Sequence, residues 1–574
     1  TNKPVLVSAN DIAEPGEFRM SPAMRELSLE QVLEPMEKAM ALVPLLGELG
    51  YEDRRSFNGL LSVTADGGSL IGEAPEISGL WFAEAVWVKD GPGVGKVVAD
   101  WMTKGSPEYD PYGIDIARFY PEQKQDDYVF GRCGEIAKKV YTPAVHPREP
   151  FETGRQLFKS PFYEREVALG GYFMEAAGWE RAHGYAANEP TLLVKYRDQI
   201  PQRMNEWDSR HFWEVSNAEQ LALSDDVGMV NLSHFAIYDI DGPSAEHLLE
   251  YLAVARVGGA TQVGKGVYTH FLDAKGGIRA DLTIVRLSED CFRVICGGGT
   301  GHRDLVWIKQ MAAARHADIE IHNRTHQLAT LGLWGPNARK VLASLVDDPN
   351  TVSDAKFPFA TAANIEIAGI NIWAFRISYV GELGWELYFD FADGLQLWDL
   401  FADAGVNPVG IETYANSRRL EKSLRLQNAD LETDYNLHEA DLARKLVKKA
   451  DFHGKAAYVA QKAADQQASY LCTMVMLKNV DASGVARYPV GEWPILNKET
   501  REVLLDELGR RSICTSVEYG PSLGSNIILG YIPAEFASVG TELLLEYFCE
   551  EYPIRIEAVG YAPLLDPENL RVRS

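Results

Sequence analysis

Two short stretches carry side chains whose types and spacing could do chemistry. In FRISYVGELGWELYFD, residues 375–390, a polar GELG separates two segments that alternate like strands. If residues 381–384 form a four-residue loop, Val380 pairs with Trp385 and Tyr379 with Glu386. Paired residues project to one face with Cβ atoms roughly 5 Å apart. A phenol and a carboxylate so placed suit a flat heterocycle, which can lie on the tyrosine while the carboxylate accepts two parallel N–H bonds. On pattern alone, an exposed cross-strand pair reads equally well. In LDAKGGIRADLTIVRL, KGG supplies a hairpin turn; Asp281, Thr283 and Val285 then share one strand face, and Leu282 and Ile284 the other. An aspartate heading so apolar a strand is either paired with something or a solvent-facing strand end, because burial alone is costly.

Two further stretches are more ambiguous. RRLEKSLRLQNADLE, from Arg418 to Glu432, opens a helix with four basic residues in eight positions. Such a cluster could meet a carboxylate-bearing ligand or simply pair with neighbouring acids. GPGVGK, from Gly91 to Lys96, is not a P-loop, because Asp90 precedes it and Val97 follows the lysine; nor is it G-x-G-x-x-G. As a glycine-rich turn opening a helix at about Val94, it could offer free N–H groups to an anion or a ring oxygen, or be a plain turn. GGGTGH, Gly297 to His302, fails the same motifs and reads as a strand-to-helix turn. The twelve histidines show no H-E-x-x-H spacing, and no metal site is expected. The six cysteines show no C-x-x-C, which fits reduced thiols in a cytosol or mitochondrial matrix.

The elements that must position these groups belong to a chain of 574 residues, 46% hydrophobic and 24% charged. That length predicts three or four domains with well-developed cores. Strand-like runs such as GVYTHFLD, ADLTIVRL, CFRVICGG and NIWAFRISYV alternate with helical segments such as DGPSAEHLLEYLAV and TGHRDLVWIKQMAAARHA, where apolar residues recur near every 3.6 positions. From about residue 468, short strands and turns suggest a small barrel or sandwich. The fold class is α+β and multidomain. A net charge of −26, from 82 acidic and 56 basic residues, repels phosphate backbones and argues against nucleic acid. No run of about 18 apolar residues is present to span a membrane. The opening TNKPVLVSANDIAEPGEF has no initiator Met and no signal pattern, so a processed, separately encoded or truncated piece is expected.

Taken together, GGIRADLTIVRL, RISYVGELGWELYFD, TYANSRRLEKSLR and DFHGKAA, then YIP…VGTELLLEY, resemble the folate-binding aminomethyltransferase family that includes the glycine-cleavage T-protein. The preceding GEAPEISGLW…GPGVGKVVADWM, D-x-YGIDIARF and SPFYEREVALGGYFMEAAGWER resemble its two-part members, the dimethylglycine and sarcosine dehydrogenases and oxidases. The resemblance implies a remnant of an FAD-dependent oxidoreductase domain at 1–105, a connector at 106–160, a folate-binding region at 161–450 and a C-terminal β-barrel at 455–574. It implies Asp281 as the catalytic carboxylate, and Thr283, Tyr379, Glu386 and Arg419 as folate-binding residues. Gly91, Pro92, Gly93, Val94 and Gly95 would approach a flavin ring. The implied cofactors are tetrahydrofolate and FAD, the latter only with a missing N-terminal region or a flavin-binding partner chain. The implied substrate is an N-methylated amino acid of the dimethylglycine or sarcosine type. Its methyl group would be captured as 5,10-methylenetetrahydrofolate, and its electrons passed to an acceptor protein or oxygen. The alternative is a flavin-independent, folate-dependent aminomethyl- or methyltransferase. A cytoplasmic setting is expected, with the mitochondrial matrix as the alternative.

Overall fold

The computed structural model describes residues 24–25, 27, 29–50, 52, 55–59, 61–140, 145–258 and 262–573; the opening stretch quoted above lies outside them. Two units are distinguished, Thr1–Pro107 with Pro111–Leu157, and Glu108–Asp110 with Phe158–Ser574.

In the first unit, α1 (Leu29–Leu42) is followed by an antiparallel pair, β1 (Leu70–Glu73) and β2 (Trp81–Glu84), with Ile71 opposite Ala83. The glycine-rich turn leads directly into α2 (Gly91–Lys104), three residues earlier than the expected start at Val94. Pro92 explains the difference, since its fixed φ and missing N–H suit a first helical turn. Gly105, at φ 81°, closes the helix by donating to the Trp101 carbonyl. α3 (Asp126–Lys139) occupies part of the stretch expected as an irregular connector. Its buried stripe includes Arg132 and Glu135 beside Tyr128 and Ile136, and those two polar residues mask the amphipathic period in the sequence.

The second unit holds two sheets face to face in chain order, then a third. Its elements are β3 (Gly228–Asn231), β4 (Ala236–Asp241), α4 (Ala245–Leu252), β5 (Gly266–Leu272), β6 (Ile278–Arg286), β7 (Cys291–Cys296), α5 (Gly301–Ala314), β8 (Glu320–Asn323), β9 (Leu328–Trp334), β10 (Ala362–Ile367), β11 (Ile370–Phe375), β12 (Gly384–Asp390) and β13 (Asn407–Val409). The first sheet has the order β8-β4-β7-β6-β5 and the second β10-β11-β12-β9-β3-β13. Ala280, Leu282 and Ile284 of β6 face a core under α4 and α5 with Leu249, Val294 and Ile308. The alternate residue Val285 instead meets Ile295, Phe375 and Tyr388, which joins the facing surfaces of the two sheets. Asp281 and Thr283 lie further along that same inner face of β6.

The third sheet is all antiparallel: β14 (Ser469–Met476), β15 (Ile495–Leu496), β16 (Ser516–Gly520), β17 (Ser525–Pro533), β18 (Glu542–Tyr547) and β19 (Glu550–Val559), in the order β15-β18-β19-β14-β17-β16. Its core includes Met474, Ile528, Leu545 and Ile554.

Candidate functional site

The hairpin that carries Tyr379 and Glu386 has a different register from the one expected. Glu386 pairs with Phe375, not Tyr379, and residues 376–383 leave the ladder as a long loop. Side chains from distant segments hold that loop. The Trp334 indole donates to the Ile377 carbonyl at 2.9 Å, Arg418 donates to the Val380 carbonyl at 2.9 Å, and Tyr379 donates its hydroxyl to the Arg425 carbonyl. Gly381 takes φ 69°, and a Cβ there would strike the Lys422 side chain at 2.5 Å. Local hairpin rules could not foresee these long-range contacts.

Glu386 is nonetheless directed into the space between the sheets. It is 6% exposed, and its Oε2 accepts from the Tyr388 hydroxyl two residues along the same face at 2.6 Å. Burial pushes its carboxyl up to about 7. Its ladder partner on β9 is Gly332, over which the Trp334 ring folds so closely that a Cβ would come within 2.0 Å of the ring. Tyr414 stacks on Trp334 with ring centroids 5.5 Å apart, and Tyr379 in turn packs on Tyr414 at 5.1 Å. A run of aromatic rings therefore leads from beside Glu386 to Tyr379.

Asp281 approaches the same aromatic group from the first sheet. It is half-buried, and its Oδ2 accepts from the Tyr268 hydroxyl at 3.1 Å. His270, directly opposite Asp281 on β5, places Nε2 3.2 Å from that hydroxyl. With Tyr268 donating to the carboxylate, the imidazole donates to Tyr268. Burial, then Arg444 and Arg425, pull His270 down to about 3, so it stays neutral. Burial raises Asp281 to about 6. Tyr268 keeps 39% of its surface open, yet protein surrounds it closely enough to push its phenol well above its ordinary value. Thr283 is half-buried, two residues along from Asp281.

One group reports on all three acids. The buried Tyr414 phenol is raised first by burial and then by Glu386, Tyr379 and Asp281. The expected carboxylates and phenol thus lie within electrostatic range of one aromatic side chain, and Tyr379 packs directly on it. The residues missed in the sequence are Tyr268, Tyr388 and Tyr414. Tyr388 carried a usable signal, two residues from Glu386 on the same strand face; Tyr268 lies on the neighbouring strand β5, opposite Thr283.

The basic cluster is a different matter. After a π-helical turn, Thr413–Ser417, the short α6 (Arg418–Glu421) ends at once, and the basic groups are buried within protein contacts. Arg418 pairs with Glu382 and Glu421, and Lys422 with Asp566. Arg425 donates to the Ser423 and Ala440 carbonyls. Arg419 binds Asp430, the Ala415 and Leu424 carbonyls and the Ser516 hydroxyl on β16. Of the two readings the sequence left open, pairing with neighbouring acids is the one observed for Arg418, Arg419 and Lys422. In the first unit, Cβ atoms added at Gly91, Gly93 or Gly95 would meet no atom within 4 Å, so backbone at the start of α2 is open to close approach, with Pro92 exposed and Val94 half-buried. Among the described residues, no group of three or more His, Cys, Asp or Glu could hold a metal ion, and no helix is long and apolar enough to cross a membrane.

Comparison with known proteins adds the following. The family model described as the GCVT N-terminal domain matches residues 162–450. The FAD dependent oxidoreductase central domain matches 104–160, and the glycine cleavage T-protein C-terminal barrel domain 491–559. Mitochondrial dimethylglycine dehydrogenase of Rattus norvegicus is 30% identical over 568 residues, covering 96% of this chain and 60% of that protein. A formaldehyde-forming 4-methylaminobutanoate oxidase of Paenarthrobacter nicotinovorans is 31% identical over 402 residues, 69% of this chain and 46% of the relative. The chain therefore spans about 60% or less of the length of these relatives. The crystal structure of glycine cleavage system aminomethyltransferase T from Bartonella henselae shares the fold, with TM-score 0.57, 21% identity and coverage of 71% of this chain and 98% of that one.

Proposed function

The chain belongs to the GCVT family and is similar over 96% of its length to a mitochondrial dimethylglycine dehydrogenase, and on that premise we propose that it captures the oxidised methyl group of an N-methylated amino acid on tetrahydrofolate. The observation that supports this reading is geometric: Asp281 and Glu386 lie on the facing sides of two sheets, Tyr379 packs on Tyr414 beside them, and Tyr268, bonded to Asp281, keeps open surface. Tyr379, backed by Tyr414, offers a ring for a pterin to lie against, and Glu386 accepts from its N–H edge. Tetrahydrofolate supplies two secondary amines that take up the carbon.

Asp281 serves as the base and counter-charge. Ionised above about pH 6, it favours the approaching iminium cation. As the first C–N bond forms it takes the proton lost by the attacking amine. It returns that proton to the departing amine as the second C–N bond closes. The second N–H proton leaves to solvent, so each turnover yields methylenetetrahydrofolate, a secondary or primary amine, and one released proton. Thr283 lines the approach to Asp281. Arg419 is paired with Asp430 and lies within electrostatic range of Tyr379.

The Gly91–Gly95 turn fits close approach of a flavin ring, because Cβ atoms at its three glycines would meet nothing; FAD would supply the amine oxidation that generates the iminium. The proposed electron acceptor is a partner protein or oxygen. The rat relative's mitochondrial name favours that compartment over the cytosol. The experiment is an Asp281→Asn exchange in the native holoenzyme that carries this chain. Amine oxidation continues and methylenetetrahydrofolate formation falls by at least ~100-fold; undiminished folate product would overturn the reading.

A further inference from the structure

The turn GGGTGH, which follows β7 and has no role above, runs beside Asp281. On β7, Cys296 pairs with Leu282 of β6 on one side and with Ala236 of β4 on the other. All three belong to the core under α5, and strand alternation turns the next residue of each strand to the opposite face. Carried one step further, the register sets Gly297 across from Asp281 on β6 and across from Phe235 before β4. A contact beyond the strand ends supports that step. A Cβ at Gly298 would stand 2.0 Å from the His234 carbonyl oxygen, so residue 298 still lies across from residue 234. Close backbone approach requires the glycine at 298.

Gly297 has no such requirement. Its φ lies outside the left-handed region, its surface is exposed, and a Cβ there would meet only the Thr300 Oγ1, at an ordinary 3.9 Å. The two neighbours of Asp281 in the sheet are therefore unequal. On β5, His270 stands directly across from the carboxylate and, with Tyr268, fills that side. On the β7 side the corresponding position is bare. Beyond it, Phe235 packs on Tyr414 with ring centroids 6.2 Å apart, and Tyr379 packs on the same ring. Adjacent strands lie about 4.8 Å apart, so a strip roughly 10 Å wide runs from Asp281 to Phe235 with no side chain at its middle. That width accommodates a small amino acid. The pterin is held from the second sheet by Glu386 and from the 376–383 loop by Tyr379. The reacting carbon must then reach it from the first sheet, where Asp281 offers counter-charge to a cation.

We propose that Gly297 is a specificity-determining position for one-carbon capture: its missing side chain leaves the place beside Asp281 where the iminium of a small N-methylated amino acid lies, cation against the carboxylate. This rests on the role given to Asp281 above. It implies that capture is lost in proportion to the volume added at position 297, while the folate site itself is untouched.

The test compares the native holoenzyme with its Gly297→Ala and Gly297→Leu variants, using dimethylglycine and tetrahydrofolate. Three quantities are read: the rate of amine oxidation, the share of oxidised carbon recovered as methylenetetrahydrofolate rather than formaldehyde, and the Kd for tetrahydrofolate by calorimetry. Gly297→Ala should lower the folate-bound share by about 2-fold, and Gly297→Leu should lower the rate of folate product formation by ~10-fold or more, with the carbon appearing as formaldehyde. Oxidation rate and folate Kd should stay at the parent's values in both. Urea denaturation should find Gly297→Ala at least as stable as the parent, because the added Cβ meets no close atom. Undiminished folate product in Gly297→Leu overturns the proposal. So does a rise in folate Kd that matches the loss of product, since the bare strip would then hold folate rather than the iminium. If Asp281→Asn leaves folate product intact, the assignment of the base fails instead. If Asp281→Asn abolishes product while Gly297→Leu behaves as the parent, only the present inference fails.

Discussion

Replacing Glu386 by glutamine should move stability and ligand affinity in opposite directions. In the free protein the Glu386 carboxyl is buried and, among the described residues, bonded to Tyr388, so burial holds it at about 7 against an ordinary 4.5. That difference corresponds to about 3 kcal/mol. Because the folded value lies above the unfolded one, the native state binds the extra proton. The cost of Glu386 is absent below about pH 4.5, grows as pH rises through 7, and is full above it. Glutamine carries no charge, and its carbonyl still accepts from Tyr388. Urea denaturation of the purified chain should therefore find Glu386→Gln equal to the parent at pH 4.5 and more stable by up to about 3 kcal/mol at pH 8. With reduced folate the sign reverses. A charge-assisted acceptor is lost and an N–H donor is set against another donor, worth about 3 kcal/mol, or ~100-fold in Kd. Calorimetric titration with tetrahydrofolate at pH 8 reads that loss. A variant that is less stable at pH 8 than the parent, or that binds folate as tightly, refutes the reasoning.

Two other outcomes are expected. Arg418→Met leaves Glu382 and Glu421 buried without their shared cation, although Arg571 still reaches Glu382; a loss of about 3–5 kcal/mol in urea denaturation is expected, and a change under 1 kcal/mol would show the triad to be dispensable. Tyr379→Phe keeps the ring but removes the hydroxyl that anchors the loop to the Arg425 carbonyl. Folate affinity should fall by less than ~10-fold, whereas Tyr379→Ala should cost ~100-fold or more, and equal losses would deny the ring its role.

Much of the site could be read from local alternation, and what could not be read has long-range causes. The faces of β6 follow strand periodicity, so Asp281 and Thr283 were correctly separated from Leu282 and Ile284. The same periodicity put Glu386 and Tyr388 on one face. The pairing of Tyr379 failed because residues 376–383 are held by Trp334, Arg418 and Arg425, which lie far away in sequence. The basic run at 418–425 was ambiguous for a related reason. Its counter-ions, Glu382, Asp430 and Asp566, come from separate segments, and only the folded chain brings them together. Helix α3 was hidden by two polar residues, Arg132 and Glu135, which are buried where an amphipathic helix normally carries apolar ones.

The most direct test of the central claim is the fate of a labelled N-methyl carbon. The native holoenzyme, oxidising a ¹³C-methyl amine with tetrahydrofolate present, should place the label in the methylene bridge of folate. With Asp281→Asn the same oxidation should release it as formaldehyde. Label that reaches folate at the parent's rate in the variant, or that never reaches folate in the parent, would contradict a role for this pocket in one-carbon capture.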